Sequence, residues 1–233
     1  MSRICKLLVL LCTLLAGMQV RAQTYFTSTE IGVSVGGSQY FGDLNDRYGF
    51  KTIGLAGGLY ARKHLNNYIS LKLGAYYTQL SYADKLNDDL FQQQRNLDFT
   101  SNVLEMSFQA EFNFFKFVTG DPYHRFTPYL TGGLGAFMFD PYTVYQGSKY
   151  NLRPLGTEGQ NLGFDDRKYS NVSACVPIGA GAKMWLKGGV NLTLEIASRL
   201  TFTDYLDDVS STYVGIDRFP VTPKNPAYAL QDR

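Results

Sequence analysis

Patterning along the 233-residue chain predicts an all-β protein, an antiparallel transmembrane barrel of the outer-membrane type. The architecture expected is eight-stranded, with seven strands visible and the last truncated. Three observations predict it: a removable export segment, long stretches that alternate polar and apolar residues, and connections that alternate between long and short.

The export segment comes first. Arg3 and Lys6 form a basic start, Leu7 to Leu15 is an apolar stretch, and Val20-Arg21-Ala22 places small or modest side chains before a cleavage point at Gln23. The apolar stretch is too short for a helix across a bilayer, which needs roughly 20 residues. Cys12 lacks the small preceding residues of a lipidation site, since Leu10 and Leu11 stand there. The expected organisation is a signal peptide at 1–22 and a C-terminally incomplete barrel domain at 23–233. Loss of Arg3, Lys6 and Arg21 leaves 19 bases against 20 acids, so the balance excludes a basic nucleic-acid surface. Cys175 would then be the sole cysteine, which excludes an intrachain disulfide and a cysteine-based zinc site.

Alternation is clearest at 103–115. Leu104, Met106, Phe108, Ala110, Phe112 and Phe114 fall on one face, opposite Val103, Glu105, Ser107, Gln109, Glu111 and Asn113. A helix would scatter both sets, whereas a period of two separates them. Segments 68–78, 173–186 and 190–201 repeat the pattern, and the glycine-richer 29–40, 51–62 and 126–139 follow it loosely. Several of these exceed the five or six residues usual in soluble sheets and suit a tilted membrane crossing. Every charge in the four best-patterned strands lies opposite the apolar face, and a lipid-facing Arg or Lys would cost about 2–4 kcal/mol at mid-depth. Aromatic groups at Tyr40-Phe41, Tyr76-Tyr77, Phe112 to Phe117 and Phe137 to Tyr142 read as interfacial girdles.

The expected connections are 41–50, 63–67, 83–98, 118–125, 142–170, 187–189 and 204 onward. Long and short segments alternate, as external loops and periplasmic turns do in such barrels. Seven strands leave an open edge, and the tail with Pro220, Pro223 and Pro226 cannot be a membrane strand throughout. A closing strand is therefore expected to be missing from a C-terminally truncated chain.

Inside so narrow a barrel, charges must pair, because isolated buried charges are very costly. Lys72, Glu105, Glu111, Lys183, Glu195 and Arg199 are the expected interior network, with Lys72 near Glu111 and Lys183 near Glu195 on consecutive strands. Its role is read as structural. His64 and His124 both fall in short turns, far from any base position near the long loops, so no catalysis and no small-molecule substrate are expected. Two acidic groups, Asp43, Asn45 and Asp46 after the first strand and Asp204, Asp207 and Asp208 after the last, should meet at one rim. Oxygen-only ligands there make a candidate calcium site; the alternative is solvated, turn-forming acids. No other cofactor is expected.

Two stretches are informative as text. Glu30-Ile31-Gly32, followed by Gly36-Gly37-Ser38-Gln39-Tyr40-Phe41-Gly42-Asp43-Leu44-Asn45, is one; Thr203-Asp204-Tyr205-Leu206-Asp207-Asp208-Val209-Ser210 is the other. With the signal peptide and strand order, they resemble the PorG-type outer-membrane barrel family of the type IX secretion system. The resemblance implies a non-enzymatic accessory subunit, in contact with outer-membrane lipids and with the periplasmic PorK–PorN ring. It brings no catalytic residue. A free-standing adhesin or receptor barrel, acting through loop 142–170, is the alternative expectation.

Overall fold

The computed structural model describes residues 29–42, 44, 52–87, 89–209, 215, 218–219 and 226–230. The expected signal peptide at 1–22 lies outside them. Seven long strands are β1 (Thr29–Ser38), β2 (Gly54–His64), β3 (Ile69–Ala83), β4 (Asp98–Asn113), β5 (Phe126–Tyr145), β7 (Val172–Lys187) and β8 (Val190–Thr201). A short β6 (Ser148–Asn151) folds back onto the end of β5. All pairings are antiparallel, and the sheet order is β1-β2-β3-β4-β5-β7-β8. The sheet curls into a half-barrel. Among the described residues no helix is long and apolar enough to cross a membrane.

Burial follows the alternation in an inverted sense. In β4, Ser101, Val103, Glu105, Ser107, Gln109, Glu111 and Asn113 are buried, while Leu104, Met106, Phe108 and Phe112 are exposed. On β1, Val33 and Val35 are 79% and 86% exposed, and on β8 Ile196 is 82% exposed. The polar stripe faces inward, and the apolar stripe covers the outside. Soluble monomers rarely expose so continuous an apolar surface.

At one end of the sheet β3 runs to Ala83 and β4 starts at Asp98, within a residue of the expected connection 83–98, whereas β5 extends to Tyr145, into the expected connection 142–170. The polar–apolar contrast fades there because inward positions become apolar: Tyr82, Phe99, Val103, Phe137 and Phe139 are all buried. They pack under the long connections. Tyr82 and Phe99 join Tyr40, Leu44, Leu97, Leu152 and Leu230 in one cluster, while Val103, Phe137, Phe139 and Cys175 form the second. Tyr40, Phe137 and Phe139 therefore build an internal cap and do not form the outer girdle that their positions suggested. At the opposite end Phe112, Phe114 and Phe115 do face outward, each about half-exposed.

The short connections close that opposite end. Residues 65–68 and 188–189 are tight turns, and segment 114–125 folds beneath the sheet. Phe117 N–H donates to the Asn67 carbonyl at 3.2 Å and Asn113 N–H to the Tyr68 carbonyl at 2.7 Å, which places the Phe117 ring inside. Seven strands in one antiparallel path leave β1 and β8 running in the same direction, from the short-turn end towards the long loops. The two edges do not pair through their backbones. They meet through side chains at the short-turn end, where Asn191 Nδ2 donates to Glu30 Oε1 at 2.6 Å. Further along, Ser34, Gly36, Arg199 and Thr201 are exposed, so the edges open towards the long loops.

Candidate functional site

The interior at the short-turn end holds a connected ion cluster. Inward positions are set by the strand alternation: Glu30 on β1, Arg62 and His64 on β2, Ser70 and Lys72 on β3, Glu111 and Asn113 on β4, Tyr129 on β5, Lys183 on β7 and Glu195 on β8. Glu111 is the hub. Its Oε2 lies 2.8 Å from Arg62 Nε and 2.5 Å from Lys183 Nζ, and its Oε1 lies 3.6 Å from Lys72 Nζ. Lys72 reaches on to Glu195 Oε2 at 2.7 Å, which also accepts from the Tyr129 hydroxyl at 2.7 Å. Arg62 Nη1 binds Glu30 Oε2 at 2.6 Å. Lys183 completes its shell with Asn113 Oδ1 at 3.0 Å and the Tyr129 ring at 4.3 Å.

Three cations thus face three carboxylates. Gly181 makes room for this arrangement, since a Cβ there would stand 2.7 Å from the Tyr129 ring and push its hydroxyl off Glu195. Neutral pairing matters because removing one partner strands a buried charge, whereas the assembled set offsets its own desolvation.

Of the six residues expected inside, Lys72, Glu111, Lys183 and Glu195 lie in this cluster. Glu105 and Arg199 form a separate pair nearer mid-height, 3.1 Å apart, with Arg199 over the Tyr76 ring at 6.0 Å. Lys72 does meet Glu111 on the consecutive strand, at 3.6 Å, whereas Lys183 meets Glu111 and not the expected Glu195. Lys72 is in register with Gln109, and Lys183 with Thr193, so each expected partner sits one diagonal step away. Curvature instead brings β7 against β4 and β8 against β3 across the interior.

Arg62, Glu30 and His64 were missed because 29–40 and 51–62 are rich in glycine and alternate weakly; the inward phase of Tyr60, Arg62 and His64 was the available signal. His64 Nε2 contacts Glu30 Oε1 at 2.7 Å and Nδ1 contacts Ser70 Oγ at 2.8 Å. This chain has the connectivity of a nucleophile relay. Ser70 is fully buried and Glu30 is already held by Arg62, so the trio presents no face to a substrate. His124 caps its own turn through Asp121 at 2.6 Å.

At the long-loop end the described members of the expected acidic rim are Asp204, Asp207 and Asp208. Asp43, Asn45 and Asp46 lie outside the described residues. Asp207 Oδ2 accepts from the Tyr40 hydroxyl at 2.5 Å, and Asp208 accepts from the hydroxyls of Thr157 and Tyr169. Asp204 opens the short helical turn 205–207. Among the described residues no group of three or more His, Cys, Asp or Glu is arranged to hold a metal. The acids tie loops together: Asp208 joins segment 204–209 to segment 142–171, and Asp207 joins it to the end of β1. Tyr169 stacks on Tyr205 at 4.4 Å and on Phe139 at 6.1 Å, which seals the same junction. Burial, with the nearby Glu158 carboxylate, pushes the Asp208 carboxyl up from 3.8 to about 7, against the pull of its two hydroxyl donors. Burial and the facing carboxyl raise the Tyr169 phenol as well.

The fold and interior define a class: an antiparallel half-barrel with an apolar exterior, an ion-paired floor and an aromatic loop cap. A family model described as a domain of unknown function, DUF6089, matches residues 5–215, so the chain belongs to that family. No curated protein and no solved structure matches it.

Two outcomes follow from the site. Glu111→Gln should destabilise the protein by about 3–5 kcal/mol, because Arg62 and Lys183 lose their common counter-charge. Adding Lys183→Met should recover part of the loss; urea unfolding in detergent micelles, followed by Trp185 fluorescence, measures both. For Asp208 the folded state keeps a proton that the unfolded chain releases above 3.8. Its contribution is therefore full below that value, falls as pH rises towards about 7, and is flat beyond. Proteolysis of segment 142–171 should speed up across that window, and Asp208→Asn should flatten the profile.

Proposed function

We propose that this protein is an integral outer-membrane barrel with a structural, non-enzymatic role. The outward apolar wall on all seven long strands is the observation that carries the reading. An exterior of this kind needs a hydrocarbon surrounding, and an interior of paired charges needs shelter from it. The open edges of β1 and β8 carry backbone groups that lipid could not satisfy, so the membrane reading requires both to be covered. The ion cluster and the folded-under segment 114–125 fill the interior at the short-turn end, which supports a scaffold more than a pore.

The particular role inferred is that of an accessory subunit in type IX protein secretion, docking PorK/PorN-like ring proteins through the short turns 63–67, 118–125 and 187–189. It rests on the resemblance of residues 30–45 and 203–210 to PorG-type barrels. The ordered packing of segment 142–171 into a cap favours a second reading, an adhesin or receptor that presents this surface outward.

Spin labels at Phe108 and Glu105 test the membrane reading: in lipid bilayers the first should be accessible to a bilayer-soluble relaxant and the second shielded. The reverse result, or a purified protein that stays dispersed without detergent, would overturn it. A pull-down from detergent-solubilised outer membranes should recover ring components. Recovery of none would remove the secretion role and leave the barrel standing.

A further inference from the structure

Outside the ion cluster, the molecule's charges divide by end. At the short-turn end Lys63, Lys116, Arg125 and Lys187 are all exposed. The described acids at this end are already engaged: Glu30 faces inward with Arg62 and His64, and Asp121 holds His124. At the long-loop end, among residues whose side chains are described, Asp84, Asp89, Asp98, Asp140, Glu158, Asp165, Asp204, Asp207 and Asp208 stand against Lys85, Lys149, Arg153, Arg167, Lys168 and Arg218.

The four cations do not form a compact patch. Lys63 pairs with Thr29 of β1 and Leu71 of β3 in the sheet register. Lys116 lies between Phe115, bonded to Thr127, and Phe117, bonded to Asn67. The Arg125 carbonyl accepts from Trp185 N–H at 2.7 Å, which sets it between β5 and β7, and Lys187 ends β7 opposite Val190. Together they are spread around the rim from β2 to β7. Each stands one or two residues from outward apolar side chains: Ala61, Phe114 and Phe115, Phe126, and Leu186. Long basic side chains at such a boundary lay their stems on the apolar wall and carry their charge to the polar margin.

We propose that this rim binds the anionic headgroups of phospholipids in the leaflet that surrounds the short-turn end. The inference deepens the membrane reading and rests on it. Like charge spread around the perimeter matches a partner that surrounds the protein, whereas a protein docking from below would be met by charges gathered on one side. Basic residues near a membrane surface attract anionic lipid and lose that attraction as salt rises. The aromatic side chains Phe114, Phe115, Tyr123 and Phe126, all exposed between the cations, place the same rim at headgroup depth.

The test reconstitutes the full chain into phosphatidylcholine bilayers containing a minority of phosphatidylglycerol, extracts it gently, and quantifies bound lipid by native mass spectrometry. Wild type should retain phosphatidylglycerol over phosphatidylcholine by about tenfold, with the excess shrinking in high salt. The variant K63Q/K116Q/R125Q/K187Q should lose the preference, and K63R/K116R/K187R should keep it, which separates charge from folding. Insertion without any headgroup preference, or a preference unchanged in the glutamine variant, overturns the inference alone. Failure to insert brings down the membrane reading with it. A glutamine variant that keeps its lipid but loses ring proteins in the pull-down makes the rim a protein-docking surface, and the lipid assignment falls.

Discussion

Glu111 and the three cations around it set the terms for the rest of the molecule. Where the sheet turns a polar face inward, at the short-turn end, apolar burial within its own walls contributes little. The sheet must instead bring charges from distant strands into balance, and Arg62, Lys72 and Lys183 reach one carboxylate only when the sheet is curled. Glu30 and Glu195 neutralise the remainder from the two edges. Curvature, interior chemistry and the closeness of β1 to β8 are thus one constraint seen from three sides.

The two ends of the interior solve different problems. At the short-turn end the ion cluster is built from strand residues, with Phe117 and Thr119 of the connection 114–125 packed against it. At the long-loop end the filling is aromatic, and half of it comes from connections: Tyr40 and Leu44 after β1, Leu97 before β4, Leu152 and Tyr169 after β5, and Tyr205 and Leu206 after β8. Asp207 and Asp208 then use hydroxyl donors to hold those connections in register. In a family whose function is unassigned, this division offers two surfaces of distinct chemistry to probe separately.

What could be read from the sequence depended on contrast between neighbouring residues. β4 was plain because Glu105, Ser107, Gln109 and Glu111 alternate with Met106, Phe108 and Ala110. β1 and β2 were harder, since glycine carries little polarity in either direction, and Glu30, Arg62 and His64 went unrecognised as interior groups. Near the far ends of β3, β4 and β5 the facing was hidden for another reason: Tyr82, Phe99 and Phe139 face inward yet resemble outward residues. Of the partners inside the cluster, Lys72 with Glu111 was legible from neighbouring strands, but Lys183 meets Glu111 through curvature, and a linear pattern records only which face each occupies. The acids at 204–208 looked like oxygen ligands, but Asp207 and Asp208 are met by tyrosine and threonine hydroxyls.

Because each long strand pairs with its neighbour along the chain, nearly all of the sheet can assemble from local hairpins. The side-chain bridge between Glu30 and Asn191 is different, joining residues 161 apart, and Lys72 to Glu195 spans 123. Loop-closure entropy makes contacts of such separation slow to gain, since the intervening strands must first supply the curvature. The floor of the interior therefore doubles as a completion check: a chain with one hairpin out of register could still zip most of its ladder, yet it would leave an acid or a base stranded at the seam.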